Sequence, residues 1–158
     1  MQNHPSVLRV TRILAERGAV GEVRHLDDSA RTAAQAAAQL GVEPAQIANS
    51  LVFSADGDPL LVMASGGHRV DTAKVARLVG AERVDRADPD FVRTHTGFAI
   101  GGVAPVGHPE PLRTLVDSHL ATYDEVWAAA GHPHAVFPTT HDELLALTGG
   151  EPADVGSD

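Results

Sequence analysis

Apolar residues recur every three or four positions near the start of the chain. Val7, Val10 and Leu14 would share one face of a helix, and Gly18 follows them as a stop signal. Further helices are predicted where a capping residue precedes such a pattern. In most of them a glycine follows the pattern and ends the helix. These signals predict helices over residues 5–18, 32–41, 71–80, 88–94, 124–131 and 140–149.

Short apolar runs lie between these helices and are bounded by turn residues. The run 60–64 follows the turn signal 56–59 and is predicted to pair with 50–53 as a hairpin. The full set of predicted strands is 21–26, 50–53, 60–64, 82–84, 98–100, 112–116 and 135–138. Because helices and strands are mixed irregularly, we predict an α/β (α+β) fold with a mixed, largely antiparallel sheet surrounded by helices.

No linker or shift in composition divides the chain. Its 158 residues fit one domain with a single core. Residues 151–158 are polar and short of apolar anchors, so we expect them to fray. The predicted organisation is therefore one domain over 1–150 and a flexible C-terminal tail over 151–158.

Composition narrows the class of protein. Cysteine is absent, which excludes disulfides and thiolate catalysis. No long apolar run and no leader pattern is present, so we expect a cytoplasmic protein that does not contact membranes. The net charge of −9 argues against a broad nucleic-acid footprint, because phosphate contacts need clustered cations. A smaller contact could use the candidate basic patch His68, Arg69, Lys74, Arg77, Arg83 and Arg86.

The most distinctive segment is the loop Gly101–Gly107 (GGVAPVG), which directly follows an apolar run. Glycines let a ligand approach the backbone closely, and successive N–H groups in such a loop can bind a carboxylate, a phosphate or a developing oxyanion. The alternative is a tight connection between strands without a ligand. The spacing matches neither a dinucleotide-binding fingerprint nor a phosphate-binding P-loop.

Nine histidines are present, and two of them flank a proline at 132–134. A histidine there could orient a substrate or position a water, and the alternative is a surface turn with incidental imidazoles. A zinc site using these two with His95, His108 or His141 is a further option. No H-x-x-x-H pattern and no cysteine supports it, so we expect neither a metal nor another cofactor.

Four segments carry a resemblance to a known family: 32–42 (TAAQAAAQLGV), 46–53 (QIANSLVF), 66–76 (GGHRVDTAKVA) and 101–107 (GGVAPVG). In this order they resemble motifs of the YbaK/ProX (YbaK/EbsC) family of aminoacyl-tRNA deacylases, which is related to the editing (insertion) domain of prolyl-tRNA synthetases. The resemblance spans roughly residues 5–150 and includes the G-x-x-x-P signature at Gly101 and Pro105.

The resemblance implies a YbaK/ProX-like fold with a barrel-like sheet and an enzyme that acts on tRNA. The implied reaction is hydrolysis of the ester of a mischarged tRNA, of the tRNA-Pro type or with another small amino acid. The expected partner is the acceptor end of an aminoacyl-tRNA, with a synthetase as a second candidate. Some members use no side-chain nucleophile: a water or a substrate group attacks while backbone amides stabilise the oxyanion.

The resemblance also implies roles for individual residues. Gly101, Gly102 and Val103 would supply backbone donors around the ester carbonyl, and Pro105 would hold the loop. Two strand residues, Asn49 and Ser50, would contact the terminal ribose or the amino acid. The pocket would be lined by the remaining candidates, His132 and His134.

One position departs from the family pattern. The family's characteristic lysine falls on Asn49, and an amide cannot supply the charge of an ammonium. Lys74 lies on a predicted helix outside the pocket and is a poor substitute. One hypothesis is that Asn49 takes part in catalysis together with the loop. The alternative is that the protein is a non-catalytic module of the same fold, which binds aminoacyl-adenosine or the tRNA end. A metal-dependent hydrolase using the histidines is a third option.

Overall fold

The computed structural model describes residues 4–28 and 32–156, which form five α-helices and eight strands. The helices are α1 (Pro5–Glu16), α2 (Ala33–Leu40), α3 (Thr72–Val79), α4 (Pro89–Thr96) and α5 (His141–Thr148). The strands are β1 (Arg24–His25), β2 (Ile47–Ala55), β3 (Asp58–Ser65), β4 (Val84–Arg86), β5 (Arg113–Asp117), β6 (Val126–His132), β7 (Ala135–Thr139) and β8 (Glu151–Ala153). Two 3₁₀ turns cover Pro44–Gln46 and Ser118–Thr122.

Helix ends lie where the capping signals predict them. Thr32, Asp71 and Thr140 each accept a hydrogen bond from the backbone N–H three residues further on. Gly41 and Gly80 end α2 and α3 in the left-handed conformation. The helices predicted to begin at these three residues are confirmed. Their free backbone N–H groups bind side chains only three residues away, which local sequence can specify.

The described strands form one mixed sheet in the order β1-β7-β6-β2-β3-β5-β8, with β4 pairing with β2. Four pairings are antiparallel: β1–β7, β2–β3, β2–β4 and β6–β7. Three are parallel: β2–β6, β3–β5 and β5–β8. The predicted fold class, a mixed sheet with surrounding helices, is confirmed. No helix among the described residues is long and apolar enough to cross a membrane.

Alternate residues of β2 face opposite sides of the sheet. Ala48 and Val52 belong to the main core, which gathers α1, α5 and the segment 98–106 on one face. Ile47 and Phe53 face the other side, where α2 and α3 form two smaller clusters with the sheet. The two faces therefore separate the loop Gly101–Gly107 from α2 and α3.

The helix predicted over 124–131 is wrong, because this segment is strand β6. Its three consecutive alanines favour a helix locally. Burial has a period of two instead: Val126 and Ala128 enter the main core, and Trp127 packs towards α2. Pairing with β7 and β2 on either side overrides the local preference.

The strand predicted over 98–100 is also wrong. The Phe98 side chain is buried in the main core, but its N–H donates to the hydroxyl of Thr96 at 3.0 Å. The Ala99 carbonyl accepts the Gly102 N–H at 3.0 Å. The segment is thus a local turn whose backbone groups are satisfied by near neighbours rather than by a strand ladder.

Residues 151–156 of the tail predicted to fray are paired and packed, and its last two residues lie outside the described part of the chain. β8 adds to the edge of β5, Val155 is fully buried, and Gly156 forms a bridge with Val70. The Lys74 ammonium donates to the Gly156 carbonyl at 2.7 Å. The prediction overlooked that Ala153 and Val155 can anchor a short segment on an open strand edge. The single-domain organisation of the chain stays a prediction.

Candidate functional site

The loop Gly101–Gly107 is held by its own apolar side chains. Val103, Ala104 and Val106 are members of the main core, and Pro105 is buried between them. Gly101 alone of the loop is exposed, with a left-handed φ of 90°. Because packing fixes the segment that follows, the exposed end of the loop is presented on a rigid base.

Hydrogen bonds decide which backbone donors of this loop are available. The Gly102 N–H is already donated to the Ala99 carbonyl. Within residues 4–28 and 32–156, no hydrogen bond occupies the N–H of Gly101 or of Val103. Two of the three predicted donors, those of the exposed Gly101 and the buried Val103, are therefore without a partner among the described residues, whereas the Gly102 N–H is used within the loop.

Gly102 permits a close backbone contact. A Cβ added there would lie 2.8 Å from the Cα of His132, a distance that real side chains do not adopt. On its other side this part of β6 meets α1: a Cβ on Gly131 would lie 2.9 Å from the Ser6 carbonyl oxygen, and Gly131 has a φ of 100°. The backbones of α1, β6 and the loop thus lie in close contact, and the lack of a side chain at Gly102 and Gly131 makes these contacts possible.

Gly131 also marks an irregularity in the sheet. The register between β6 and β7 shifts between Ala129 and His132, where β6 has two extra residues and bulges out of the ladder. Bulges re-aim side chains at the end of a strand. Here the bulge leads into the turn Gly131–His134, which we call the histidine turn, and brings it against Gly101 and Gly102.

Two predicted site residues, His132 and His134, lie 5.3 Å apart between ring centroids. The ring of His132 also lies 4.8 Å from His4, the N-cap of α1. His4 is absent from the predicted site, because only the tertiary fold brings the chain's start to this turn. Burial of the ring lowers the pKa of His132 from its usual 6.5, and positive charge on His4 and His134 lowers it further.

Asn49 and Ser50 lie on β2, and the strand points their side chains to opposite faces. Ser50 shares the face of Ala48 and Val52, which pack with the loop, and its hydroxyl lies 3.2 Å from the sulfur of Met63. Asn49 is half-buried on the face turned towards α2 and α3. The structure therefore brings the Ser50 side, and not the Asn49 side, towards the loop.

The sheet splits beside these two residues. β2 pairs with β6 only at Ile47 and Ala48, and it pairs with β4 only from Phe53 onwards. Successive residues of β2 direct their backbone groups to alternate sides, and Val52 accepts the Ala87 N–H on this side. The N–H and carbonyl of Ser50 consequently point into the gap between β6 and β4.

A cavity of about 280 Å³ lies under the second half of the loop. Its walls include Val106 and Gly107 from the loop and Ile13 and Arg17 from the N-terminal part of the chain. His108 also lines it and binds the Ala104 carbonyl at 2.8 Å, which ties the end of the loop to its middle. The cavity does not include the exposed Gly101, so it lies apart from the glycine–histidine contact.

Three of the six members of the candidate basic patch are paired with acidic or carbonyl groups. His68 binds the fully buried Asp117, Lys74 binds Gly156 and Asp154, and Arg83 binds Asp85. The remaining members are Arg69, Arg77 and Arg86. In the described part of the chain, no group of three or more histidine or carboxylate side chains is arranged to hold a metal ion.

Comparison with protein families identifies the domain. The model of the aminoacyl-tRNA editing domain matches residues 27–147. The chain belongs to the aminoacyl-tRNA editing domain family. The matched segment contains the loop, the histidine turn and β2, but it leaves out α1, which supplies His4.

Two relatives show how this editing domain occurs in other proteins. The uncharacterized protein YwhH of Bacillus subtilis (strain 168) is 32% identical over 124 residues, 78% of each chain. The proline–tRNA ligase of Levilactobacillus brevis is 31% identical over 98 residues, which is 62% of this chain and only 17% of the ligase. The chain therefore spans a small part of the ligase and most of YwhH.

A solved structure matches the editing domain over nearly its whole length. It is described as a candidate trans-editing enzyme for prolyl tRNA synthetase, and it is 47% identical with a TM-score of 0.91. The match covers 98% of this chain and 99% of the other. The similarity includes α1 and β8, since it extends well beyond the segment of the family model.

Proposed function

We propose that this protein is a trans-editing deacylase, which hydrolyses the ester between an amino acid and the 3′ end of a mischarged tRNA. Membership of the editing family and the similarity to a candidate trans-editing enzyme support the activity. The similarity to proline–tRNA ligases supports tRNA-Pro carrying a small non-cognate amino acid as the substrate class. The acceptor end of the tRNA is then the partner.

The observation that carries this proposal is the pair of unoccupied N–H groups at Gly101 and Val103, fixed by a buried loop. During attack on an ester, negative charge develops on the carbonyl oxygen, and rigid backbone donors stabilise it without reorganising. Pro105 keeps the loop in place. A water acts as the nucleophile, and no side chain of the loop forms a covalent intermediate.

The other predicted residues take supporting parts. The backbone of Ser50, in the gap beside β6, is suited to bind the terminal ribose. His132 and His134 are suited to line the site beside the loop, because Gly102 allows the loop to lie against His132. Asn49 lies on the face of β2 that is turned away from the loop, so we assign it no contact with the ester. The arrangement needs no metal.

The test is release of the amino acid from tRNA-Pro charged with glycine, alanine or serine, with prolyl-tRNA-Pro as the cognate control. We expect faster release than the spontaneous rate for at least one small amino acid and none for proline. If every mischarged tRNA loses its amino acid at the spontaneous rate, the deacylase proposal fails.

A second candidate function rests on Asn49. An amide in place of the family's lysine removes a positive charge that could bind a phosphate or an oxyanion. The chain would then be a module that binds the aminoacyl end without cleaving it. That reading requires that the natural protein binds a non-hydrolysable aminoacyl-adenosine analogue, cleaves nothing, and gains activity on Asn49→Lys. Deacylation by the natural protein would exclude it.

A further inference from the structure

Three histidine rings from three elements meet beside the exposed end of the loop. His132 ends β6, His134 precedes β7, and His4 caps α1. The centroid of the His132 ring lies 4.8 Å from that of His4 and 5.3 Å from that of His134. All three rings are half-buried, which leaves each partly open to solvent or a ligand.

Backbone packing fixes the position of His4 relative to the loop. Ser6, two residues after His4, presses on Gly131, and Gly102 presses on the next residue of β6 from the other side. A Cβ at Gly131 would lie 3.0 Å from the Ser6 carbonyl carbon, so α1 cannot withdraw without opening this contact. His4 is therefore held by the same backbone contacts that hold the glycines.

Hydrogen bonds to the backbone fix which ring nitrogen carries the proton. The Nδ1 of His132 accepts the N–H of His134 at 3.1 Å, so in the neutral ring its proton must be on Nε2. The Nδ1 of His134 faces the Leu26 carbonyl at 3.3 Å, and a carbonyl can only accept. His134 therefore carries its proton on Nδ1, and its Nε2 has a free lone pair.

The same argument applies to His4. Its Nδ1 accepts the Ser6 N–H at 3.1 Å, which leaves Nε2 as the nitrogen that can donate. Among the described residues, the groups whose charge acts on His132 are His4, the cap of α1, and His134, which precedes β7. No carboxylate is among them, so the cluster favours a neutral His132 that donates through Nε2.

We propose that these rings form a directed histidine cluster, in which His4 is a positioning residue, His132 is a hydrogen-bond donor to the substrate, and His134 is the proton acceptor. The roles of these histidines in hydrolysing a tRNA ester rest on the proposed deacylase function. His4 belongs to it although α1 lies outside the segment that the family model matches.

The chemical step is balanced without another reactant. The oxygen of a water bonds to the ester carbonyl carbon while one water proton passes to Nε2 of His134. The bond from this carbon to the ribose oxygen then breaks, and the proton on His134 passes to that oxygen. His134 is neutral again at the end, and the products are the free amino acid and the tRNA hydroxyl.

The first test does not depend on activity. The ¹⁵N chemical shifts of the histidine rings at pH 7.5 report which nitrogen is protonated. We expect the proton on Nε2 in His132 and on Nδ1 in His134. We also expect His4→Gln to raise the pKa of His132 in an NMR titration, because a positive neighbour is lost, whereas His95→Gln on α4 leaves that pKa unchanged. The opposite tautomer in either ring, or a His132 titration unaffected by His4→Gln, would overturn the cluster.

The second test separates the two roles by variants that keep the backbone hydrogen bonds. The Asn in His134→Asn can still donate to Leu26, and the Asn in His132→Asn can still accept the N–H of residue 134. General-base catalysis contributes about 10²- to 10⁴-fold, so His134→Asn should lower kcat by about that factor and remove the acidic limb of the pH–rate profile. His132→Asn should mainly raise KM and keep that limb.

The outcomes also distinguish this proposal from the proposed function. An acidic limb that persists in His134→Asn would contradict the role of His134 even in an active deacylase. If the natural protein cleaves no mischarged tRNA, the deacylase function fails together with the step described above. The arrangement of the three rings is then supported or overturned by the ¹⁵N shifts and the His4→Gln titration alone.

Discussion

The candidate site has two walls that are built by opposite means. The loop Gly101–Gly107 is buried from Gly102 to Val106 and is fixed by aliphatic packing. The histidine turn Gly131–His134 is half-exposed after its glycine and is fixed by hydrogen bonds between its imidazole rings and the backbone. The loop offers donors that do not titrate, and the turn offers rings that do.

Because the two walls are held differently, substitutions in them should affect the stability of the fold and the rate of the reaction to different extents. Burial of a valine side chain contributes about 1.5–3 kcal/mol, whereas a single hydrogen bond contributes about 0.5–1.5 kcal/mol net. A change in the loop should therefore reduce both the stability of the fold and the activity. A change in the turn should leave the fold nearly as stable and alter the rate or its pH dependence.

The contact between the two walls is the point at which we expect the largest effect. In Gly102→Ala the new Cβ would lie 2.8 Å from the Cα of His132, so the loop or the turn must move. A shift of about 1 Å at a catalytic geometry can cost about 10²-fold in rate. We expect kcat/KM on the best mischarged tRNA to fall by about that factor.

Gly67→Ala provides the matched control. Its Cβ would lie 2.8 Å from the Cβ of Ala45, which is the same closest approach, to a residue of neither the loop nor the turn. Thermal unfolding should show a lower Tm for both variants, and deacylation should fall only for Gly102→Ala. Equal activity in the two variants would mean that the contact between Gly102 and His132 does not shape the site.

Val106→Ala tests whether core packing positions the loop. Val106 is 2% exposed in the main core, and removing two buried methyl groups should lower the free energy of unfolding by about 2 kcal/mol. We expect a reduction in kcat/KM as well, because Val106 lies between the donors and His108. Urea denaturation and deacylation below the unfolding transition measure the two effects.

The comparison variant is Val75→Ala in the cluster under α3. Val75 is fully buried and belongs to a core on the other face of the sheet. It should lose about as much stability as Val106→Ala, since large-to-small changes in packed cores cost similar amounts. Unchanged activity in both would show that the loop keeps its position without this side chain.

Local signals predict those parts of the fold that local interactions stabilise. The caps at Thr32, Asp71 and Thr140 and the glycines that close α2 and α3 define helices by bonds within a few residues. The hairpin of β2 and β3 follows from its turn. The mixed sheet, and the loop that follows the apolar run at residue 98, could also be predicted from local sequence patterns.

Elements that depend on distant partners were not predictable in this way. β6 has a helix-favouring alanine run, and only its neighbours β2 and β7 make it a strand. β8 needs the free edge of β5, which is 34 or more residues away in the chain. His4 likewise reaches the site only because α1 packs on β6, so no spacing in the sequence could connect it with His132.

The smallest expected effect is a pH dependence of stability that differs between the walls. Burial lowers the pKa of His108, which directly follows the loop. A hydrogen bond to the Ala104 carbonyl of the loop raises this pKa, and the charges of Arg9 and Arg17 lower it. The pKa of His132 in the turn is also lowered, first by burial. Both rings therefore bind protons less readily in the folded state than at their usual 6.5.

The sign follows from proton linkage. Below pH 6.5 the unfolded chain binds more protons at these two positions, so the free energy of unfolding should fall as the pH is lowered from 6.5. His108→Gln keeps an amide donor for the Ala104 carbonyl but cannot titrate, and it should flatten this fall. His132→Asn should flatten it less, because its ring lies nearer the solvent. Urea denaturation at pH 7.5, 6.5 and 5.5 gives the slopes. A slope in His108→Gln as steep as in the natural protein would show that the loop wall carries no titrating group that matters for folding, and would leave the histidine turn as the one pH-sensitive wall of the site.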